Sequence, residues 1–574
     1  MKPLLPDLVD EWLAENLVGA IWTEHYCHPG GWKQSFDPPP VHALLERAAA
    51  NWPNRVALDF YGRSTTYAAL LDRARHVAKG LQSLGLQGKR VGLFLPNTPH
   101  YPAAFYGALL AGATVVNFSP LYSPDEVLAQ TRNSGIEAIV CLDLKRLWPP
   151  IQRLLDERAV SRVIVGDLAE VLPWPQALGF RLLKRGDRQK LQGDARISRW
   201  SELLANDGAP APVSVEPAKD LALIQFTGGT TGVPKGAALT HANLSVNALQ
   251  LEAIDPTPRG QESRVLGCLP LFHIFAIAAI LNRSVLGGAE IVLLPKFEAR
   301  EALAALKRRR CTDFAGVPAM FQAMIEDPAF TADAFTDLKQ AFSGGAAMTP
   351  ALKERFEAAS GSRVLEGYGM TESAGVVSVN PYEGEARAGT VGQPLPATLI
   401  RIVGEDGAEQ PLGQAGEIVV SGPQIMQGYW RPEQKTIEPL ANGEFRTGDI
   451  GIIEADGYVR IVDRIKDMIN VGGFKVFPSQ LEAVLASHPA VEEAIVVASP
   501  DERVGERPYA FVVLKDGVFA TPADLSAFLA GHVGKHERLA GLELRDALPR
   551  TMIGKPDRKA LAAAERARVE GGVI

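Results

Sequence analysis

Short apolar runs, each followed by an amphipathic segment, recur along most of this chain, and that rhythm restricts the fold more than any other feature. Arg90–Leu95, Thr114–Phe118 and Ala138–Leu142 read as buried strands. Val41–Ala50, Tyr67–Leu84, Pro102–Leu110 and Pro124–Ser134 read as helices before and between them. Strands apolar on both faces that alternate with helices build parallel sheets covered on both sides. The rhythm returns from Leu221 to Ser343. After about Gly389 the strands shorten, and Gly392, Pro394, Pro396, Gly413, Gly416, Gly422 and Gly428 predict a β-rich subdomain. Beyond Asp463–Asp467, the segments Ser479–Leu485, Ala494–Val497, Ala510–Leu514 and Pro522–Leu529 predict a small α+β unit. The expectation is an α/β protein. Residues 1–465 form a large N-terminal domain of two α/β subdomains plus the β-rich one, and 466–574 form a C-terminal domain.

Charge and cysteine usage narrow the function. Lys plus Arg is 59 against 66 for Asp plus Glu, a net charge of −7, so a phosphate-tracking surface for nucleic acid is not expected. Cys27, Cys141, Cys268 and Cys311 lie far apart with no C-x-x-C pair, which argues for a reducing, cytoplasmic setting rather than a disulfide scaffold or zinc site. The N-terminal apolar stretch carries Asp7, Asp10, Glu11 and Glu15, which a secretory signal would not tolerate. Val91–Pro124 is long enough to span a bilayer, but Pro96, Asn97, Pro99, Gly107 and Gly112 divide it into strand, turn, helix and strand. Leu172–Leu191 mixes Trp174, Phe180, Leu182 and Leu183 with Arg181, Lys184, Arg185, Arg188 and Lys190. It reads either as a solvated surface loop or as a segment lying on an anionic lipid surface.

The densest chemistry lies where Leu221–Phe226, a strand by composition, runs into Thr227-Gly228-Gly229-Thr230-Thr231-Gly232-Val233-Pro234-Lys235-Gly236. The glycines let backbone N–H groups approach an anion, three threonines add hydroxyls, and Lys235 adds a positive charge. This is a polyphosphate cradle. It is not a Walker A loop, because Gly236 rather than Ser or Thr follows the lysine, and it is not G-x-G-x-x-G.

At these residues the chain resembles the adenylate-forming family of acyl-CoA synthetases, luciferases and peptide-synthetase adenylation domains. Further segments match in the family's order: Leu269–His273, Ser343–Ala346, Glu366–Glu372, Phe445–Asp449, Asp463–Asp467, Gly472–Phe474 and Pro549–Arg558. Leu365–Pro381 and the Pro270–Ala276 run are most similar to bacterial long-chain fatty acid–CoA ligases.

The resemblance implies a two-step reaction: a carboxylate attacks the α-phosphorus of ATP to give an acyl-adenylate and pyrophosphate, and a thiol then displaces AMP. It assigns Thr227, Gly228, Gly229, Thr230, Thr231, Gly232 and Lys235 to the phosphates, and Glu372 with Thr227 to Mg²⁺. Tyr368 stacks on adenine, and Gly345, Gly369, Met370 and Arg464 complete the nucleotide set. Thr371 bonds the α-phosphate, Asp449 the ribose hydroxyls, and Lys555 bridges carboxylate and α-phosphate. His273 borders the acyl or thiol tunnel. Lys466 is the hinge of a mobile C-terminal domain, and Gly472, Gly473 and Phe474 shape the CoA channel.

Leu269–Asn282 holds no acidic residue for a substrate amine, which disfavours amino acids, and its apolar residues suit a medium- to long-chain fatty acid. A fatty acyl-AMP ligase feeding a carrier protein, or a CoA ligase for another hydrophobic or aryl acid, remain open alternatives. Fatty acid, ATP and CoA are the expected partners, with peripheral contact to the inner membrane surface and homodimerisation left open. Lys535-His536-Glu537-Arg538 lacks the proline common in the family there, and Asn470 and Pro556 also depart from its pattern.

Overall fold

A computed structural model of the chain describes residues 21–191, 193–227, 235–257, 260–384, 386–430, 440–441, 443–551 and 556–570. It forms two compact units, one of Met1–Leu399 with Ser421–Gly443, the other of Ile400–Val420 with Glu444–Ile574.

The first unit is built on two sheets. In one, the order is Gly428–Tyr429, Gly236–Thr240, Leu221–Phe226, Thr114–Asn117, Arg90–Leu93, Ala138–Leu142, Arg162–Gly166 and Ile197–Arg199. From Leu221–Phe226 onward every pairing is parallel, and only the two strands at the Gly428 edge run antiparallel. Ala138–Leu142 is buried at all five positions, as a strand covered on both faces must be. The helix His100–Leu110 that follows Arg90–Leu93 is apolar nearly all round and buried nearly all round. It starts two residues before the predicted Pro102, because a proline is tolerated in a first turn. Pro124–Ser134 begins with a Ser123–Glu126 capping box and ends on left-handed Gly135. Val91–Pro124 is thus strand, helix and strand, and among the described residues no helix is long and apolar enough to cross a membrane.

The second sheet orders Gln393–Pro394, Gly375–Val379, Arg363–Met370, Gln340–Ser343, Asp313–Gly316, Arg264–Gly267, Glu290–Leu293, Val56–Phe60 and Arg63–Thr66. Its six central strands are parallel and its edges antiparallel. Beneath it Phe321 is fully buried, its ring 4.9 Å from both Phe314 and Phe356, and Phe335 lies 5.5 Å from Phe356.

The second unit shows most directly how sequence period becomes layers. Val491–Asp501 pairs antiparallel with Gly505–Leu514, and Gly541–Leu544 adds in parallel. Successive strand side chains point to opposite faces. Ala494, Val496, Ala510 and Val512 accordingly pack with Leu481, Leu485, Leu525 and Leu529, from the helices Pro478–Ala486 and Pro522–Ala530. Ile495, Val497, Tyr509 and Phe511 pack on the other face with Leu561 of the helix Arg558–Glu570. The β-rich region expected after Gly389 is present as Leu399–Val403, Gly416–Ser421, Glu444–Ile453 and Val459–Arg464. Most of it groups with the C-terminal segment, while Ser421–Gly443 groups with the first unit.

Phe321→Ala should cost about 3–5 kcal/mol, the range for emptying a buried aromatic site. Urea unfolding followed by tryptophan fluorescence checks this, and a midpoint unchanged from wild type would contradict the packing described.

Candidate active site

Parallel pairing decides where the candidate residues fall. Gly316 is in register with Ser343, and Ser343 with Glu366, so two neighbouring strands end at one level while Arg363–Met370 runs on past it. Gly345 lies in the loop after Ser343, Tyr368–Met370 in the strand's continuation beyond Glu366 and Thr371 and Glu372 in the turn after it, while His273 follows the adjacent strand Arg264–Gly267. Ligands of open α/β sheets bind outside the carboxyl ends of their strands.

His273 is half-buried and caps the short helix Ile274–Ala276, its Nδ1 accepting from the Phe275 N–H at 3.3 Å. A π-helical turn, Ile277–Asn282, follows, and such turns recur at functional sites. Phe275 also reaches the Ser343–Ala346 loop: a Cβ on Gly344 would lie 3.0 Å from its ring. Tyr368 sits opposite Ser378 in an antiparallel pair whose register shifts between Tyr368 and Gly369. At Gly369 a Cβ would fall 1.8 Å from the Gly375 carbonyl oxygen, so only glycine lets the two strands approach this closely. Thr371 and Glu372 then form a 3-10 turn, closed by Ser373 Oγ accepting from the Met370 N–H at 3.1 Å.

The two ends of the glycine-threonine loop are joined, Thr227 N–H donating to the Lys235 carbonyl at 2.9 Å. Gly228, Gly229, Thr230, Thr231 and Gly232 lie outside the described residues, as does Lys555. Beside Lys235 is a residue that the sequence reading missed. Tyr429 lies in the two-residue strand paired with Gly236–Thr240, opposite Ala237. Its hydroxyl donates to Glu372 Oε1 at 2.8 Å, and Lys235 Nζ stands 5.2 Å from its ring centre. Burial and the Glu372 carboxylate both raise the Tyr429 pKa, so the phenol keeps its proton. Tyr429, Lys235 and Glu372 are thereby assembled from three separate sequence segments. The signal available in sequence was the Gly-Tyr-Trp run at 428–430, on a strand of only two residues.

Glu366 lies in the same segment as Tyr368 and is buried. Burial is the main cause raising its carboxyl pKa to about 7, against the Met348 N–H, which donates to its Oε2 at 3.4 Å, and the nearby Lys353.

In the second unit Asp449 is buried and lies directly across an antiparallel pair from Arg464, whose Nε is 2.9 Å from Asp449 Oδ1. The pairing of these two candidates across strands was not visible in sequence, since fourteen residues intervene between their positions. Lys466 is exposed within the 3-10 turn Ile465–Asp467. On either side, buried Asp463 accepts from the Ser479 N–H at 2.9 Å, and Asp467 lies 3.8 Å from Arg558. Arg558 also pairs with Glu482 at 2.6 Å and donates to the Val496 carbonyl. Gly472 and Gly473, both at positive φ, make the two-residue turn between Val471 and Phe474. Phe474 is 62% exposed, and its ring lies 4.9 Å from that of His536, in the segment that lacks the family's proline.

Residues 45–430 match the model of the AMP-binding enzyme family and residues 480–555 match that of the AMP-binding enzyme C-terminal domain. The chain belongs to the AMP-binding enzyme family. Within it, the chain is 34% identical over 533 residues to the long-chain-fatty-acid–CoA ligase of Bacillus subtilis, covering 92% of this chain and 94% of that ligase. It is 35% identical over 562 residues to an Escherichia coli long-chain-fatty-acid–CoA ligase, covering 96% and 99%. The crystal structure of ATP-bound MatB from Rhodopseudomonas palustris superposes with a TM-score of 0.80 at 27% identity, covering 92% of this chain and all of MatB.

The Glu366 carboxyl generates a prediction independent of activity. An unfolded glutamate ionises near 4.5 and the native one near 7. Between these values the native state holds a proton that the unfolded state has lost, so stability falls as pH rises and levels off above about 7. The loss amounts to about 3 kcal/mol. Glu366→Gln removes it: urea midpoints of wild type and variant should diverge between pH 4.5 and 8, with wild type losing more. Parallel pH profiles would refute the assignment.

Proposed function

We propose that this chain is an ATP-dependent, AMP-forming fatty acid–CoA ligase acting on medium- to long-chain acids. One observation carries the reading: identity of about a third to long-chain-fatty-acid–CoA ligases, sustained over more than nine-tenths of both chains. The arrangement of candidate residues at strand ends supports it.

The first half-reaction gathers a triphosphate and a carboxylate, so its catalysis is chiefly neutralisation and positioning. Thr227 through Lys235 cradle the β- and γ-phosphates, with the Lys235 ammonium offsetting their charge. Tyr368, on the antiparallel turn enforced by Gly369, stacks on adenine beside Gly345 and Met370, and Thr371 donates to the α-phosphate. Glu372 and Thr227 offer the hard oxygens that Mg²⁺ takes alongside substrate phosphates, and the bound ion would neutralise phosphate charge. Tyr429 holds the Glu372 carboxylate in place by its short hydrogen bond. Asp449 accepts from both ribose hydroxyls, and Arg464 orients it.

Lys555 supplies its ammonium where negative charge builds between the attacking carboxylate and the α-phosphate. A flexible point charge suits a group that must follow a shifting geometry. Lys466 serves as the hinge, residues 466–574 being the part that moves between half-reactions. Gly472, Gly473 and Phe474 then line the path of CoA, whose thiolate displaces AMP. His273 walls the acyl tunnel, capping the apolar segment that receives the chain.

AMP release measured with ATP, Mg²⁺ and CoA across acids from acetate to oleate, with benzoate and a dicarboxylate included, tests the reading. Preference for the longer fatty acids with strict CoA dependence supports it. Preference for benzoate, or hydroxamate formation without CoA use, would replace it with the aryl-ligase or the acyl-AMP ligase alternative. Lys555→Ala should abolish adenylation yet largely retain thioester formation from supplied acyl-adenylate, and equal loss of both halves would remove Lys555 from its role. Tyr429→Phe should raise the KM for Mg-ATP roughly tenfold, the worth of one charge-assisted hydrogen bond, with the fatty-acid KM unchanged.

A further inference from the structure

One turn and one helix of the first sheet take hold of both ends of the segment that carries His273. The turn after Arg90–Leu93 presents Asn97, which is buried. Its Nδ2 donates to the Leu269 carbonyl at 2.7 Å and to the Gly267 carbonyl at 3.3 Å, and its Oδ1 accepts from the Leu271 N–H at 2.8 Å. A single carboxamide thus serves three backbone groups of the chain running on from Arg264–Gly267. At the far end of the π-helical turn Ile277–Asn282, the helix His100–Leu110 presents Tyr106, whose hydroxyl donates to Asn282 Oδ1 at 3.0 Å. Both of these side chains are fully buried, and burial pushes the Tyr106 pKa up, so the hydroxyl keeps the proton it donates. Asn97 and Tyr106 therefore hold Leu269–Asn282 at its two ends, and all of these residues belong to the first unit.

What lies between the two holds has little room to move. Phe275 packs against Gly344, and a Cβ on Gly375 would fall 2.5 Å from that of Ala278. The segment is thus seated against the loop that carries Gly345 and against the strand Gly375–Val379. Its turn is in the rare π register, which inserts an extra residue and so depends on its ends being fixed. Just past the turn, Arg283 pairs with Asp255 and donates to the Tyr382 hydroxyl at 3.1 Å, so relaxation is not taken up downstream. Asn282 Nδ2 has no partner among the described residues. Without the Tyr106 hydroxyl, the whole Asn282 carboxamide would be buried and unpaired, which drives the side chain and its turn to shift.

We propose that Asn97 and Tyr106 are positioning residues that set which carboxylic acids this protein accepts, by holding the wall Leu269–Asn282 in one register. The inference rests on the ligase reading, in which that wall receives the acid, and adds two residues that touch no substrate. The test compares Tyr106→Phe with Tyr101→Phe. Tyr101 lies on the same helix, and its buried hydroxyl donates at 2.9 Å to Asn117 Oδ1, in the first sheet rather than in the wall. Each variant loses one buried hydrogen bond, so their thermal midpoints should fall alike. AMP release is then measured with the acid that wild type prefers among acetate to oleate, benzoate and a dicarboxylate. In Tyr106→Phe alone, KM for that acid should rise roughly tenfold, the effect of one such bond, with KM for ATP unchanged and the preference among acids broadened. Asn97→Asp, which keeps the acceptor for the Leu271 N–H but loses both donors, should act in the same direction. Hydrogen exchange without substrate should quicken across 269–282 in Tyr106→Phe and not in Tyr101→Phe. A wild type that prefers benzoate or the dicarboxylate would end the fatty-acid reading, and the variants are then compared on that acid. Equal changes of acid KM in the two tyrosine variants, or an unchanged acid profile in Tyr106→Phe, would overturn the proposal.

Discussion

Parallel strand pairing is the constraint on which the rest of the first unit depends. Because Gly316, Ser343 and Glu366 stand in register on strands that run in one direction, the chain that follows each must emerge at the same edge. Residues scattered from His273 to Glu372 are gathered there without any local sequence relation between them. An antiparallel arrangement would have sent alternate loops to opposite edges. The helices that make parallel crossovers obligatory, such as His100–Leu110, are buried on nearly every side. Burial of the scaffold and convergence of the loops are two consequences of one topology.

The second unit solves a different problem, holding a short sheet between two helical layers while keeping charged groups fixed. Strict alternation along Val491–Asp501 and Gly505–Leu514 sorts the apolar side chains into two cores. Arg558 enters this interior at the start of the last helix, and Glu482 meets it at 2.6 Å. Burial pushes the Glu482 carboxyl pKa up, while Arg558 and the Val496 N–H pull it down. Removing either partner would strand a charge in an apolar layer, which costs several times what the pair itself contributes. The same guanidinium reaches toward Asp467 in the turn that holds Lys466, so the last helix and that turn share an anchor.

What was legible in the sequence follows from these physical differences. Leu221–Phe226, apolar but for Gln225, and Ala138–Leu142 announce themselves because a strand buried on both faces needs a nearly continuous apolar run. Strand lengths were less legible: Ala494–Val497 extends to Val491–Asp501, since its ends are held by pairing rather than by apolar burial. Cross-strand partners such as Asp449 and Arg464 depend on register, which a bulge between Ile450 and Gly451 alters locally. The grouping of the β-rich stretch was unreadable for a related reason. Its strands find their partners through hydrogen bonds, and backbone groups carry no residue-specific mark.

Tyr429 shows how little sequence such a contribution can require. A sheet edge exposes unpaired backbone groups, and Gly428–Tyr429 covers part of the edge formed by Gly236–Thr240. Two residues of pairing would be marginal alone, but Trp430 supplies the hold. Its N–H donates to the Gly236 carbonyl at 2.7 Å, its indole Nε1 to the Asn133 carbonyl at 3.2 Å, and Arg90 lies over its ring at 5.3 Å. With the neighbour fixed, Tyr429 is delivered to Glu372 at the pleat position that strand geometry dictates. The Met426 N–H, donating to the Glu372 carbonyl at 2.8 Å, ties the same segment to the same turn from the backbone side. One short segment thus protects a sheet edge and orients the carboxylate at once, so a change that loosens Trp430 would reach Glu372 without touching it.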